Sequence, residues 1–190
     1  MEFLSKDTIK IDRELSDLDK FTFNFVDILK KYTDYVIVSG YVSILLGRAR
    51  ASEDVDLIVP KMSFEKFKIL MDELRKKRFY CLNAEEDDDI FEYLMSKVAV
   101  RFAKKKTAIP NIEFKFAKNK FDEIALKNKI VVKIKQDELM VSQLELQIAF
   151  KEEVLMSSKD IEDAKHIRDV AEGFYDENLV KKYKEMLHGF

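Results

Sequence analysis

An uninterrupted apolar run, Tyr35-Val36-Ile37-Val38, closed at once by Ser39-Gly40, narrows the architectures open to this chain more than anything else in it. A short β-branched run without charge is the pattern of a strand buried on both faces, which needs covering layers on each side. One layer lies just upstream, where Leu18, Phe21, Phe25, Ile28 and Leu29 recur at helical spacing with Asp and Lys between them. That periodicity predicts an amphipathic helix over residues 16–32, lying against a sheet. Downstream, residues 41–46 read as a short helix stopped by Gly47, and residues 48–52 as a loop. Asp54-Val55-Asp56-Leu57-Ile58-Val59 follows as a second strand, ended by Pro60.

Ser63 is placed to cap a helix with residues 66–74 in its body, closing near the basic cluster Arg75-Lys76-Lys77-Arg78. The acidic run Glu85-Glu86-Asp87-Asp88-Asp89 reads as a solvated turn, since it lacks the alternating ligands and turn glycine of a calcium loop. Strand alternation returns at residues 98–102, 112–116 and 130–134, separated by lysine-rich loops, for a sheet of about five strands. Beyond Glu138 the pattern is wholly helical: residues 139–155, a break and cap at Ser157-Ser158, then 161–171 and 178–187. The expected fold is therefore α/β (α+β), a small mixed sheet flanked by helices. Residues 1–137 form its core, and residues 138–190 a C-terminal helical region packed on it.

Of the 190 residues 47% are hydrophobic, with only four glycines and two prolines, so there is ample apolar surface to offset chain entropy. The 34 basic and 36 acidic side chains nearly cancel, which removes any argument for wholesale nucleic-acid binding. A single cysteine, Cys81, excludes an intrachain disulfide and a multi-cysteine zinc site, and fits a reducing, cytoplasmic compartment. Residues 1–13 alternate charged and apolar side chains, and no stretch approaches the roughly 20 apolar residues needed to span a bilayer, so no membrane partner is expected.

Chemistry concentrates at Asp54-Val55-Asp56. Two carboxylates two residues apart on a strand share a face, roughly 7 Å apart along the chain, while Val55, Leu57 and Val59 take the buried face. Such a pair repels itself unless a cation lies between, and Mg²⁺ favours one or two carboxylates plus phosphate oxygens. A solubilising surface pair gives the same two residues. Ser39-Gly40, between a buried strand and a helix, offers free N–H groups at the positive end of a helix dipole, with no Cβ at Gly40 to hold a phosphate away. An ordinary strand-to-helix turn with a capping serine gives the same dipeptide.

Together these elements, strand, Ser39-Gly40, helix, and then Arg48 to Ser52 leading into Asp54-Val55-Asp56, resemble the signature of polymerase-beta-like nucleotidyltransferases, in particular the minimal and abortive-infection types. The family usually carries glycine where this chain has Ser39, and glycine or serine at the position of Gly40. The resemblance implies a nucleotidyltransferase binding Mg²⁺ (or Mn²⁺) and an NTP donor on Asp54, Asp56 and a third carboxylate. Ile112-Glu113-Phe114 resembles the element that supplies it, which nominates Glu113; the residues alone leave Glu113 equally readable as a solvent-facing partner of Lys115. The resemblance further nominates Ser39, Gly40, Arg48, Arg50, Ser52 and Lys151 for the nucleotide. Lys159-Asp160-Ile161-Glu162-Asp163 looks like the family's Lys/Arg-Asp-x-x-Asp motif, giving Lys159, Asp160 and Asp163 supporting roles. The residues alone leave Lys151, followed by Glu152 and Glu153, readable as an exposed helix face, and Asp160 as a helix-start aspartate that complements the dipole.

Implied acceptors are an RNA end, a protein hydroxyl or a small molecule, and an antitoxin partner if the chain is the toxin of a toxin–antitoxin pair. The alternative is a silent domain of the same fold that binds nucleotide or a protein. Phe114, Phe116 and Phe121, interleaved with lysines, read as core residues beneath snorkelling lysines rather than as base-stacking groups. His166, His188 and Cys81 have no partners for a metal or nucleophile site and are assigned to structure.

Overall fold

The periodic stretch after Ser16 forms helix α1 (Asp17–Leu29) and opens with a capping box. The Ser16 hydroxyl accepts from the Asp19 amide, and the Asp19 carboxylate accepts from the Ser16 amide at 2.7 Å. Asp19 is fully buried and also receives Arg13 and the Tyr41 hydroxyl. Burial opposes its charge, but Arg13, Tyr41 and Ser16 outweigh burial and hold the carboxyl below its usual range.

The structure, a computed structural model, describes residues 1–188. Two N-terminal strands, β1 (Glu2–Ser5) and β2 (Thr8–Ile11), precede α1; then come β3 (Val36–Val38), α2 (Gly40–Leu45), β4 (Asp54–Val59) and α3 (Phe64–Lys76). Next are β5 (Phe79–Cys81), α4 (Asp87–Met95), β6 (Val100–Lys104), β7 (Asn111–Phe116), α5 (Lys120–Lys127), β8 (Ile130–Ile134) and β9 (Asp137–Val141). The chain closes with α6 (Leu144–Phe150), a π-turn (Lys151–Leu155), α7 (Ser158–Val170) and α8 (Glu177–Leu187).

The nine strands form one mixed sheet in the order β1-β2-β8-β9-β3-β4-β7-β6-β5. The fold is thus mixed α/β as expected, but the sheet is larger than the small, five-stranded one anticipated. Four strands escaped the sequence. β1, β2 and β5 are three or four residues long, too short to show a period. β9 lies inside a stretch expected to be helical, because Glu138, Leu139 and Met140 favour helices locally, and pairing with β8 and β3 overrides that preference. The division at 137/138 therefore falls at the start of β9, and the helices begin at Leu144. Two helices were also missed: the acidic run supplies the first turn of α4, where Asp87, Asp88 and Asp89 complement the dipole, and a lysine-rich stretch read as loop holds α5, capped by Asn119.

One face of the central strands is an aromatic core. Phe102 and Phe114 meet Phe25 of α1, and Phe116 meets Phe91 of α4, which in turn packs on Phe67 of α3. Phe114, Phe116 and Phe121 are all at most 2% exposed, as the reading of core phenylalanines required. The opposite face of β3, β4 and β7 is walled by α5, α6 and the π-turn, and holds the cleft described next.

Candidate active site

β4 and β7 run parallel and in register, with Asp56 paired to Glu113 and Asp54 to Asn111. Alternation puts Asp54, Asp56 and Glu113 on one face, while Val55, Leu57, Ile112 and Phe114 point into the core, all 0% exposed. Two strands that are nonconsecutive in sequence thereby bring three carboxylates to one patch. The consequence is electrostatic: burial, then the charges of Glu113 and Asp54, push the Asp56 carboxyl up to about 6, against the pull of the Ser39 hydroxyl. Asp54 is steadied from its own side by Ser52, whose hydroxyl lies 3.1 Å from Oδ1 and 3.0 Å from the Asp54 carbonyl.

Ser39 joins β3 to α2 with φ 65° and ψ −139°, a backbone that glycine adopts freely and serine does not. Its hydroxyl caps nothing in α2 and is turned to Asp56 instead. Gly40 serves a close approach, because a Cβ built there would lie 2.9 Å from Nη2 of Arg50. It is the Arg50 guanidinium that occupies the space over Gly40.

Arg48, Arg50 and Lys151 converge on one buried carboxylate. Asp163 is 0% exposed; its Oδ2 accepts from Arg50 Nη1 at 2.5 Å and from Lys151 Nζ at 2.8 Å. Arg48 Nη1 stands 2.9 Å from Oδ1, an ion pair without the alignment of a hydrogen bond. Asp160 adds a second carboxylate 3.5 Å from the Lys151 ammonium, and Glu162 pairs with Arg48. Lys159 contributes its carbonyl, 3.3 Å from Arg48, and leaves its side chain exposed. These cations form a knot that fastens the loop before β4 and the π-turn to α7, and Lys151 reaches the cleft only as part of its wall.

The cleft has a volume of about 240 Å³, with Ser39, Asp56, Glu113 and Lys115 on its sheet side. Apolar side chains of α5, α6 and the π-turn face them. Two residues here were not singled out from sequence. Arg101 of β6 stands opposite Glu113 and pairs with it at 3.0 Å; only the cross-strand register reveals it. Gln147 lines the cleft one helical turn before Lys151, and a lone amide has no spacing signal to find it by. His166, assigned to structure, meets the Leu46 carbonyl at 3.1 Å, and Cys81 is buried.

Hard oxygen donors on a self-repelling patch suit a divalent cation of the Mg²⁺ type. Among the described residues, no group of three or more His, Cys, Asp and Glu side chains is gathered to hold an ion as it stands, and Glu113 is engaged by Arg101. Mg²⁺ needs no more than one or two protein carboxylates when phosphate oxygens complete its shell, and Asp54 with Asp56 meets that requirement.

No protein-family model matches the chain. No curated protein matches it in sequence either. Among solved structures it is similar to an antigenic nucleotidyltransferase-like protein from Paracoccidioides brasiliensis, with a TM-score of 0.51 and 17% identity over 92% of this chain and 89% of that one. JHP933 from Helicobacter pylori also aligns, at a TM-score of 0.37 and 13% identity over 93% of this chain and 97% of that one. The first likeness defines the class: a mixed α/β protein with a nucleotidyltransferase-like fold. No helix among the described residues is long and apolar enough to cross a membrane.

Proposed function

We propose that the cleft is the centre of a metal-dependent nucleotidyltransferase, which transfers a nucleoside monophosphate from an NTP to a hydroxyl acceptor. The observation that carries this reading is the in-register pairing of Asp56 with Glu113, with Asp54 on the same face. Asp54 and Asp56 would hold Mg²⁺ or Mn²⁺, which would supply neutralisation of charge on the α-phosphate and the departing pyrophosphate. Ser52 and Ser39 fix the two carboxylates. Glu113 would complete a second metal site, or take the proton as the acceptor oxygen bonds to the α-phosphorus and the bond to pyrophosphate breaks. The finer expectations rest on the sequence resemblance: membership of the minimal or abortive-infection type, an acceptor that is RNA, protein or small molecule, and a toxin role with an antitoxin.

The test is incubation with each α-³²P-labelled NTP, Mg²⁺ or Mn²⁺, and cytosolic RNA and protein, beside an Asp54→Ala/Asp56→Ala control. Label transferred by the wild type and lost in the control supports the reading and identifies the acceptor class. A second reading, a silent nucleotide- or protein-binding domain, is favoured by the occupied state of the charged groups: Glu113 by Arg101, and Arg48, Arg50 and Lys151 by Asp163. Metal-dependent nucleotide binding without transfer would select it.

Magnitude argues that Glu113 is available. The Arg101 side chain is 52% exposed, and exposed pairs are worth about 0–1 kcal/mol. Arg101→Gln is therefore expected to tighten Mn²⁺ binding, followed by electron paramagnetic resonance, by no more than about fivefold. Weaker binding in that variant would mean that Arg101 supports the ion site rather than competing with it.

A further inference from the structure

We propose that the helical side of the cleft is a nucleobase subsite in which Gln147 reads the edge of the base; this rests on the nucleotidyltransferase reading above. Gln147 is 5% exposed, in the last turn of α6, and lines the cleft. Its backbone amide bonds to the Gln143 carbonyl, but among the described residues its side-chain amide has no hydrogen-bond partner. Its polar atoms are not among the described side-chain atoms sealed from solvent without a partner, so they open onto the cleft, where a ligand can meet both the donor and the acceptor. The polar residues that line the cleft on this side are engaged elsewhere, Asp122 by Lys118 and Lys115, Ser142 by the Gln143 carbonyl and Lys151 by Asp163, and the rest of the wall is Phe121, Ala125, Leu146 and Phe150. What the wall lacks is a partner offering an acceptor and a donor side by side.

The edge of a nucleobase is such a partner. A glutamine amide can bond an adjacent acceptor and donor on one base edge, while the flat faces of the ring need apolar contact of the kind these side chains provide. Size agrees with a ring rather than a whole nucleotide. At about 240 Å³ the cleft is below the roughly 300–1,000 Å³ of sites that enclose a drug-sized ligand. The base occupies the apolar wall and the phosphates remain at the carboxylate wall, where Ser39, Asp56 and Glu113 lie. Gln147 is then a specificity residue, because a site built to hydrogen-bond a partner rejects one that leaves its buried groups unpaired.

Isothermal titration of ATP, GTP, CTP, UTP and inorganic tripolyphosphate, each with Mg²⁺, tests this in the wild type, Gln147→Met, Gln147→Leu and Asp54→Ala/Asp56→Ala. The wild type is expected to prefer one base by roughly tenfold or more. In Gln147→Met, close in volume and without the amide, the four affinities converge, while tripolyphosphate affinity and melting temperature stay at wild-type values. An unchanged preference in both Gln147 variants overturns the proposal, as does equal weakening of all four NTPs and tripolyphosphate. If the wild type binds tripolyphosphate through its aspartates but treats the four bases alike, the subsite is refuted and the parent reading stands. Tripolyphosphate and NTP binding absent from the wild type, or unaffected by loss of the aspartates, removes both.

Discussion

Ser39 holds a backbone conformation that costs about 1–3 kcal/mol for a residue with a Cβ, and its hydroxyl is spent on Asp56 rather than on capping a helix. Strain of this kind persists where the surroundings over-determine it, and here the surroundings are the acidic patch. Ser39→Gly should therefore raise stability by about 1 kcal/mol in urea titrations at pH 5, once glycine's extra chain entropy is subtracted. The same variant should move the Asp56 carboxyl further up in a ¹³C NMR titration, because the hydroxyl that favours the ionised form is gone. A destabilised variant with an unmoved Asp56 would refute both halves. For Asp56 itself, the folded chain keeps a proton between the usual aspartate range and about pH 6 that the unfolded chain has lost. Stability then falls as pH rises through that window and levels off above it. Relative to Asp56→Asn, the wild type should lose on the order of 2 kcal/mol between pH 4 and pH 7; parallel pH profiles would show that the patch does not strain the fold.

At the scale of elements, the π-turn and α7 act as a pair. Glu152 in the π-turn is bridged by Arg168 of α7 and Lys184 of α8, and Lys151 beside it is drawn to Asp163 of α7. Such turns interrupt helices where side chains must be re-aimed, often at functional sites, and this one ends α6 just past Gln147. Removing the charge of Asp163 leaves Arg48, Arg50 and Lys151 crowded without their shared counter-ion. Asp163→Asn is expected to cost about 3–5 kcal/mol in urea unfolding, whereas Glu162→Ala, with a side chain 68% exposed, should cost less than about 1 kcal/mol. Similar losses in the two variants would mean that burial of the knot carries no weight.

At the scale of the molecule, β9 is the joint. It pairs with β8, which carries the N-terminal strands through β2, and with β3, which carries the acidic strands through β4. The C-terminal helices follow directly from it, so the two halves of the sheet and the helical region share one joint. Unfolding should accordingly be a single transition, with coincident midpoints for far-UV circular dichroism and for fluorescence of the seven tyrosines, there being no tryptophan. Separate midpoints would mean that the helical region is an independent unit.

Much of this was legible residue by residue. The two-residue spacing of Asp54 and Asp56 put both on one face; the apolar periodicity located α1, β3, β4, β6, β7 and β8; and Ser63 and Ser157 marked helix starts. All of these are local rules, carried by neighbours within a few positions. The opposition of Asp56 to Glu113, the Arg101 pair, the knot around Asp163, the strand at 137–141 and the unmet amide of Gln147 depend on residues distant in the chain. Nothing in the sequence near them records the pairing: the Lys135-Gln136 turn lacks the Asn-Gly signature of a hairpin, and a glutamine in a helix looks the same whether or not it has a partner. Local periodicity thus determined which apolar side chains are buried and which carboxylates share a strand. Only the tertiary structure, through strand register and helix placement, decided which charges meet, because those contacts are set by long-range packing.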